Sequence, residues 1–272
     1  MKRIIAFTAA FAMLWSISQF SAAAASSAEI YVTIADASGN LAVAYEPFTV
    51  TDTDGDGILT INDALFTAHE EKYSGGAASG YGTSVTDYGT GLTKLWGGGS
   101  GSGFGYYVNN ASALSLMDTV KSGDCVNAFA YTDTATFSDT YCYFDKNTVG
   151  AEQNASVTLA LYAAGFDESW NPIVLPVADA EIMLDGKATA FRTSSDGTVT
   201  VSVADAGKHV ISARSDAQTL VPPVCVASVS AAKGKAAPSS PAATGVTSAV
   251  PFCAVIGMAS LLGMAASRRR SK

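Results

Sequence analysis

Residues 52–63 read Asp-Thr-Asp-Gly-Asp-Gly-Ile-Leu-Thr-Ile-Asn-Asp, and they place four carboxylates where their oxygens can converge on one point. Asp52, Asp54 and Asp56 occupy positions 1, 3 and 5 of this stretch, so alternate side chains face a common centre. Gly57 at position 6 permits a sharp turn, Ile58 at position 7 offers its backbone carbonyl, and Thr60 at position 9 can ligate directly or through water. Asp63 at position 12 closes the set. A hard cation taking about six to eight oxygens suits these donors, and the spacing is that of a calcium loop, so Ca2+ is the expected cofactor. Asp63 stands where Glu is commonest. One methylene shorter, it reaches less well for a bidentate contact and implies weaker binding or a contracted loop. Crowded carboxylates repel one another without a cation, which ties local order to the ion. A solvated acidic turn is the competing reading, since Asp-Gly pairs form turns readily, but it leaves the other matched positions unexplained.

The flanking segments must position this loop. Residues 64–72, Ala-Leu-Phe-Thr-Ala-His-Glu-Glu-Lys, are good helix material with Leu65, Phe66 and His69 near one face. Residues 42–50 read as a strand, with Pro47 arguing against a helix. A strand entering and a helix leaving, with Leu59 at position 8 and Asp63 at position 12, resembles the calcium loop of dockerin modules. Dockerins carry two such segments and this chain has one, so the loop reads as a staple for its own domain. A dockerin-like part in a surface polysaccharide-binding assembly is an alternative that needs a second acidic segment.

The chain ends set the compartment. Lys2 and Arg3 precede an apolar stretch to about Phe20, followed by small residues through Ala25, which predicts a signal peptide over 1–25. Residues 231–245 form a linker, 246–267 an apolar segment long enough to span a bilayer, and 268–272 a basic tail that stays cytoplasmic. This order resembles the cell-wall sorting signal of Gram-positive surface proteins. The resemblance implies cleavage between Thr244 and Gly245, although Ala242 stands at the usual Pro position of the motif. Retention by the membrane segment is the other reading, and both leave the intervening residues anchored on the extracellular face. The formal charge of −8 becomes −14 once the six basic residues Lys2, Arg3, Arg268, Arg269, Arg270 and Lys272 are lost, since no acid leaves with them. Such a surface is a poor partner for nucleic acid.

The fold class expected for the remainder is mainly β, as two small extracellular domains: an α+β module over 26–150 carrying the calcium-loop helix, then a β-sandwich over 151–230. Within the first, residues 29–35 read as an opening strand, and 92–96 and 104–110 bracket the glycine-rich run 97–103. That run has no Lys-Ser/Thr ending or following helix, so it reads as a hairpin loop, not a phosphate cradle. Residues 121–131 and 137–144 look like a hairpin that sets Cys125 and Cys142 opposite one another; a disulfide and two separate buried thiols both remain open. Cys225 has no evident partner and reads as buried. Gly105-Tyr-Tyr-Val-Asn-Asn110, followed by Gly123-Asp124, resembles the domain related to the C-terminal part of transcobalamin, which implies a small β-rich fold able to serve ligand binding. Trp96, Phe104, Tyr106 and Tyr107 either form an aromatic platform for a sugar or corrinoid or pack the core. In the second module, Asp196-Gly197 predicts a tight turn, and Val199, Val201 and Val203 alternate towards one buried face. Its pattern resembles bacterial Ig-like and carboxypeptidase-regulatory-like sandwiches, which serve as spacers.

Catalytic chemistry finds little support. The chain has two histidines, His69 and His209, and no Gly-x-Ser-x-Gly elbow, His-Glu-x-x-His pair or zinc spacing. Acid pairs such as Glu70/Glu71 and Asp167/Glu168 read as solvated surface, not as a glycosidase pair. The function expected is a calcium-stabilised surface binding or display protein with an unidentified ligand, and the alternative is a carrier for a corrinoid-like small molecule.

Overall fold

The computed structural model describes residues 27–232, except Tyr88, Ser100 and Ser102. The expected signal peptide 1–25, Thr244 and Gly245, the membrane segment 246–267 and the tail 268–272 lie outside the described residues, as does most of the 231–245 linker. No described helix is long and apolar enough to cross a membrane.

The first module contains β1 (Ser27–Ala35), β2 (Leu41–Thr51), α1 (Ile61–Lys72), α2 (Gly76–Gly80), β3 (Gly82–Thr86), β4 (Gly89–Lys94), β5 (Phe104–Val108), β6 (Ala111–Ser112) and β7 (Cys125–Ala130). Its main sheet runs β2-β1-β7-β5-β6, with β1 and β7 parallel at the centre. Alternation in β1 buries Ala28, Ile30, Val32 and Ile34 against Ile61, Ala64, Leu65 and Ala68 of α1. Pro47 is tolerated because β2 is an edge strand, pairing only with β1. Phe66 departs from the expected helix face: it is 37% exposed, one step off the Ile61–Leu65–His69 stripe that enters the core.

The second module holds β8 (Thr140–Phe144), β9 (Thr148–Glu152), β10 (Ser156–Phe166), β11 (Pro172–Pro176), β12 (Glu181–Leu184), β13 (Lys187–Arg192), β14 (Thr198–Ser202), β15 (Gly207–Arg214), β16 (Leu220–Val221) and β17 (Cys225–Ser230). One sheet runs β11-β10-β8-β16, with β14 added alongside the first half of β10; the other runs β13-β12-β15-β17-β9. Leu159, Leu161, Val199, Val201 and Val203 meet Ile182, Ile211, Ala213, Ala227 and Val229 between the sheets. The Asp196-Gly197 turn forms, but it carries the chain from one sheet to the other because β13 pairs with β12 and β14 with β10. Gly197 is required there: its φ is +79°, and a Cβ would lie 2.6 Å from the Leu161 carbonyl oxygen.

Two expected hairpins are corrected. Residues 121–131 and 137–144 do not pair with each other: β7 joins β1 and β5, whereas β8 joins β10 and β16. Strand pairing therefore changes over in the 131–139 connection, and β8 and β9 are strands of the sandwich. The connection is held by buried Asp139, which accepts from Thr132 N (2.6 Å), Thr132 Oγ1 (2.8 Å) and Asp133 N (3.0 Å). Cys125 and Cys142 consequently sit in different sheets as free, buried thiols, and Cys225 is free and buried as well. Burial pushes the thiols of Cys125 and Cys225 up to about 12. The second correction concerns residues 92–96: 92–94 end β4 and pair with β3, and Leu95 bridges to Gly98, so the 97–103 run connects separate sheets.

Candidate metal centre

The acidic loop spans the gap between the edge strand β2 and the first turn of α1, and its two halves are held differently. The exit half is buried. Leu59 enters the core and its carbonyl accepts from Val120 N (2.9 Å), while Ile61 N and Asn62 N donate to Asp118 O (3.1 Å) and Leu116 O (2.8 Å). Thr60 is the N-cap of α1, with φ −127° and ψ 169°. Its hydroxyl accepts from Asp63 N (3.3 Å), and the Asp63 carboxylate reaches back to Thr60 N (2.9 Å), which completes a capping box. Loop positions 9 and 12 thus start the helix and face the loop centre at once.

Asp63 is fully buried and accepts four hydrogen bonds. Oδ2 takes Thr60 N and Thr60 Oγ1 (2.7 Å), and Oδ1 takes Thr53 N (2.8 Å) and Thr53 Oγ1 (2.5 Å). Thr53, at position 2, was not among the residues the spacing singled out. Its hydroxyl is invisible to a template that scores only alternate positions.

The entry half is exposed. Asp52 Oδ1 accepts from Gly55 N and Oδ2 from Gly57 N, each at 2.7 Å, and the Gly57 bond is the main reason its carboxyl lies below the usual range. Gly55 and Gly57 take φ of +79° and +87°, the left-handed turn that the glycine at position 6 anticipates. Asp54 shifts the other way: partial desolvation raises it, reinforced by the charges of Asp56 and Asp63 and only partly offset by the Asp56 N–H. Carboxylate oxygens of Asp52, Asp54 and Asp63 all lie within 4.8 Å of one another. Asp56 stands outside that trio, with its Oδ1 accepting from Ile58 N (2.8 Å). Positions 1, 3 and 12 therefore converge, position 9 adjoins them through Thr60, and position 5 is turned to the backbone of Ile58. Such an all-oxygen donor set fits a hard divalent cation, with Asp56 needing a side-chain rotation to join it.

The aromatic residues do not assemble into one platform. Phe104 and Tyr106 pack on the first core, and Tyr107, on the opposite face of β5, stacks on Tyr141 of the sandwich at 3.7 Å and 7°. Gly105 between them admits Phe129, whose ring would be 2.3 Å from a Cβ. Trp96 also packs on the first core, against His69 and Tyr73. Asn109 and Asn110 form the β5–β6 turn with φ of 50° and 66°. Asn109 Nδ2 donates to Asp124 Oδ1 (2.9 Å) and its Oδ1 accepts from Cys125 N (2.9 Å), so these motif residues latch a turn onto β7. Tyr141 donates its hydroxyl to Asn110 Oδ1 (2.9 Å) across the junction.

Both histidines are held by local partners. His69 is fully buried; Nδ1 donates to Leu65 O (2.6 Å) and Nε2 accepts from Trp96 N (3.0 Å), which fixes a neutral ring whose pKa burial lowers. His209 pairs with Asp185 (2.7 Å), which raises it.

No protein-family model matches the chain, and no curated protein matches it in sequence. Among solved structures, the N-terminal four Ig domains of Dscam1 isoform 4.44 align at 13% identity and a TM-score of 0.22, covering 47% of this chain and 27% of that one. A structure described as the basis for Dscam isoform specificity aligns at 9% identity and a TM-score of 0.23, covering 56% and 42%. The chain spans less than half the length of either. Scores of that size do not define a common fold, and the mainly β architecture stands on the strand pairing described above.

Proposed function

We propose that this chain is an exported, surface-anchored binding or display module stapled by one Ca2+ in the 52–63 loop. The observation that carries this is the convergence of the Asp52, Asp54 and Asp63 carboxylates at the start of α1. Asp52, Asp54, Asp56 and Asp63, the Ile58 carbonyl and Thr60 would hold the ion, which would supply charge neutralisation to a cluster that otherwise repels itself. Export and anchoring are supported by the sequence alone, through residues 1–25 and the 231–272 tail with Thr244 and Gly245. The acid pairs are exposed on separate elements, Glu70/Glu71 on α1 and Asp167/Glu168 at the β10–β11 turn, and both histidines are engaged by local partners, which favours binding over catalysis. The aromatic set gives a corrinoid no platform, because Tyr107 is closed against Tyr141 and the cavity beside Tyr141 measures about 20 Å3, room for a water molecule, while the larger cleft of about 540 Å3 near Leu41, Met183 and Val210 is lined by none of these aromatic residues. Native mass spectrometry of residues 27–232, which contain both cores, tests the reading. One bound Ca2+ per chain at millimolar calcium is expected, and a metal-free spectrum overturns it.

A further inference from the structure

The β10–β11 hairpin extends past the sandwich core and exposes an apolar surface that neither module covers. Phe166 is 52% exposed, Trp170 80%, Val174 55% and Leu175 52%, and the Phe166 and Trp170 rings lie 6.1 Å apart at 47°. The tip is rigidly built. Asp167 N donates to Asn171 O and Trp170 N to Asp167 O, both at 2.9 Å. The Asp167 carboxylate then accepts from Ser169 N and Asn171 N at 2.8 Å and from Asn171 Nδ2 at 3.0 Å. This frame holds Trp170 at φ 63°, a left-handed conformation that a bulky side chain rarely adopts, with the indole facing outward.

Two features restrict what can bind. Val177 N donates to Leu161 O, and β11 continues that pairing, so residues 173 and 175 turn their backbone groups towards β10 while 172, 174 and 176 turn theirs to the free edge. Pro172 and Pro176 lack an N–H, which leaves Val174 as the one donor of those three. An edge blunted in this way rejects an added strand, so the surface must work through its side chains. Charge gives the second restriction. No Lys or Arg occurs from 147 to 186, while Asp167 and Glu168 flank Trp170. Anionic headgroups, phosphates and acidic polymers find no counter-charge there, and entering a bilayer with Trp170 would desolvate two carboxylates. An uncharged ligand with flat apolar faces and hydroxyl donors fits two exposed rings beside a free carboxylate. Its faces would stack on the two rings, and its hydroxyls would donate to Glu168, which makes no hydrogen bond or ion pair among the described residues.

From these restrictions we infer that the β10–β11 tip is a glycan-binding site that takes a neutral polysaccharide through Trp170 and Phe166. The inference rests on the reading of the chain as a binding module, but it does not involve the calcium loop.

Affinity electrophoresis of residues 27–232 in gels containing a soluble neutral glucan, mannan or xylan tests it, with an acidic polysaccharide for comparison. Retardation by at least one neutral polymer is expected, weakened about tenfold or more by Trp170→Ala and unchanged in EDTA. A quench or blue shift of indole emission on adding that polymer, absent in Trp170→Ala, is the companion signal. Equal retardation of wild type and Trp170→Ala overturns the inference, as does no retardation by any neutral polymer. Trp170-dependent sedimentation with phosphatidylcholine vesicles, or a dimer in light scattering that Trp170→Ala dissolves, overturns it in favour of lipid or of a second copy. Loss of calcium binding with glycan binding intact would remove the metal reading alone.

Discussion

Calcium should raise the melting temperature of residues 27–232, and the structure indicates how to remove that effect without disturbing the fold. Extracellular sites of this type bind at roughly 10⁻⁴–10⁻³ M, so 10 mM Ca2+ would add about 1.4–2.7 kcal/mol to stability by mass action. For a domain of this size that corresponds to a rise of about 3–11 °C in Tm. Asp54→Asn with Asp56→Asn is the informative variant. Among the described residues, Asp54 accepts the long bond from Asp56 N (3.4 Å) and Asp56 accepts from Ile58 N (2.8 Å), and an amide oxygen can keep both. Asp52 is left intact because it holds Gly55 N and Gly57 N. The double variant should therefore fold, lose the calcium-induced shift, and melt in EDTA no lower than wild type, since two repelling charges are gone. Differential scanning calorimetry in EDTA, 10 mM CaCl2 and NaCl of matched ionic strength measures this directly. An equal calcium shift in wild type and variant would mean that the ion acts elsewhere. No shift in wild type would mean that the loop is only an acidic turn.

Asp63→Ala should cost about 3 kcal/mol or more in urea unfolding even in EDTA, because two backbone N–H groups and two hydroxyls lose their acceptor. His69 sets part of the acid limit: burial holds its folded pKa below the unfolded value of 6.5, so the unfolded chain takes the proton first. Its contribution is complete above about pH 6.5 and falls as pH drops below it; a His69→Gln variant should show a shallower loss between pH 7 and 5 by urea titration. His209 acts in the opposite sense, since its raised pKa gives stability below the unfolded pKa that is lost as pH rises through the folded one, and the exposure of its partner Asp185 to solvent screens the effect. Tyr141→Ala, which removes the stack on Tyr107 and the bond to Asn110, should cost about 3–5 kcal/mol and separate the calorimetric transitions of the two modules, whereas Tyr141→Phe should cost only about 1 kcal/mol.

The loop and the strand and helix around it were legible because each is a local event: Pro47 excludes a helix, and Thr60 with Asp63 is a capping signal three residues apart. The sandwich was legible for a similar reason, since the alternation of Val199, Val201 and Val203 reports one buried face without naming a partner strand. Pairing was not legible. Residues 121–144 look symmetric about 133–134, which imitates a hairpin, yet Cys125, Val126, Ala128, Phe129 and Ala130 are all buried. A strand apolar on both faces belongs at the centre of a sheet, and that signal argued against a two-stranded ribbon. The aromatic set misled in the same way: Tyr106 and Tyr107 are neighbours in sequence but face opposite sides of β5, so one fills a core and the other joins two modules.

The unequal holding of the two loop halves limits what calcium can do here. The exit half is tied to the 116–120 segment and to the core through Leu59 and Ile61, all without reference to an ion. The entry half, 52–57, is tied to the exit half through Thr53, whose N–H and hydroxyl donate to Asp63, and otherwise carries its own turn hydrogen bonds and a cluster of like charges. An ion therefore has little to reorganise beyond residues 52–57, because the helix start it would otherwise trigger is already capped by Thr60 and Asp63. Occupancy should protect the amides of Gly55, Asp56 and Gly57 from hydrogen exchange and leave those of α1 and of the β10–β11 tip unchanged. A calcium-dependent change at the tip would require a coupling path from the 52–57 turn across both cores. With α1 anchored as it is, a bound ion would act as a local staple, and the proposed glycan capture at the β10–β11 tip would proceed independently of it.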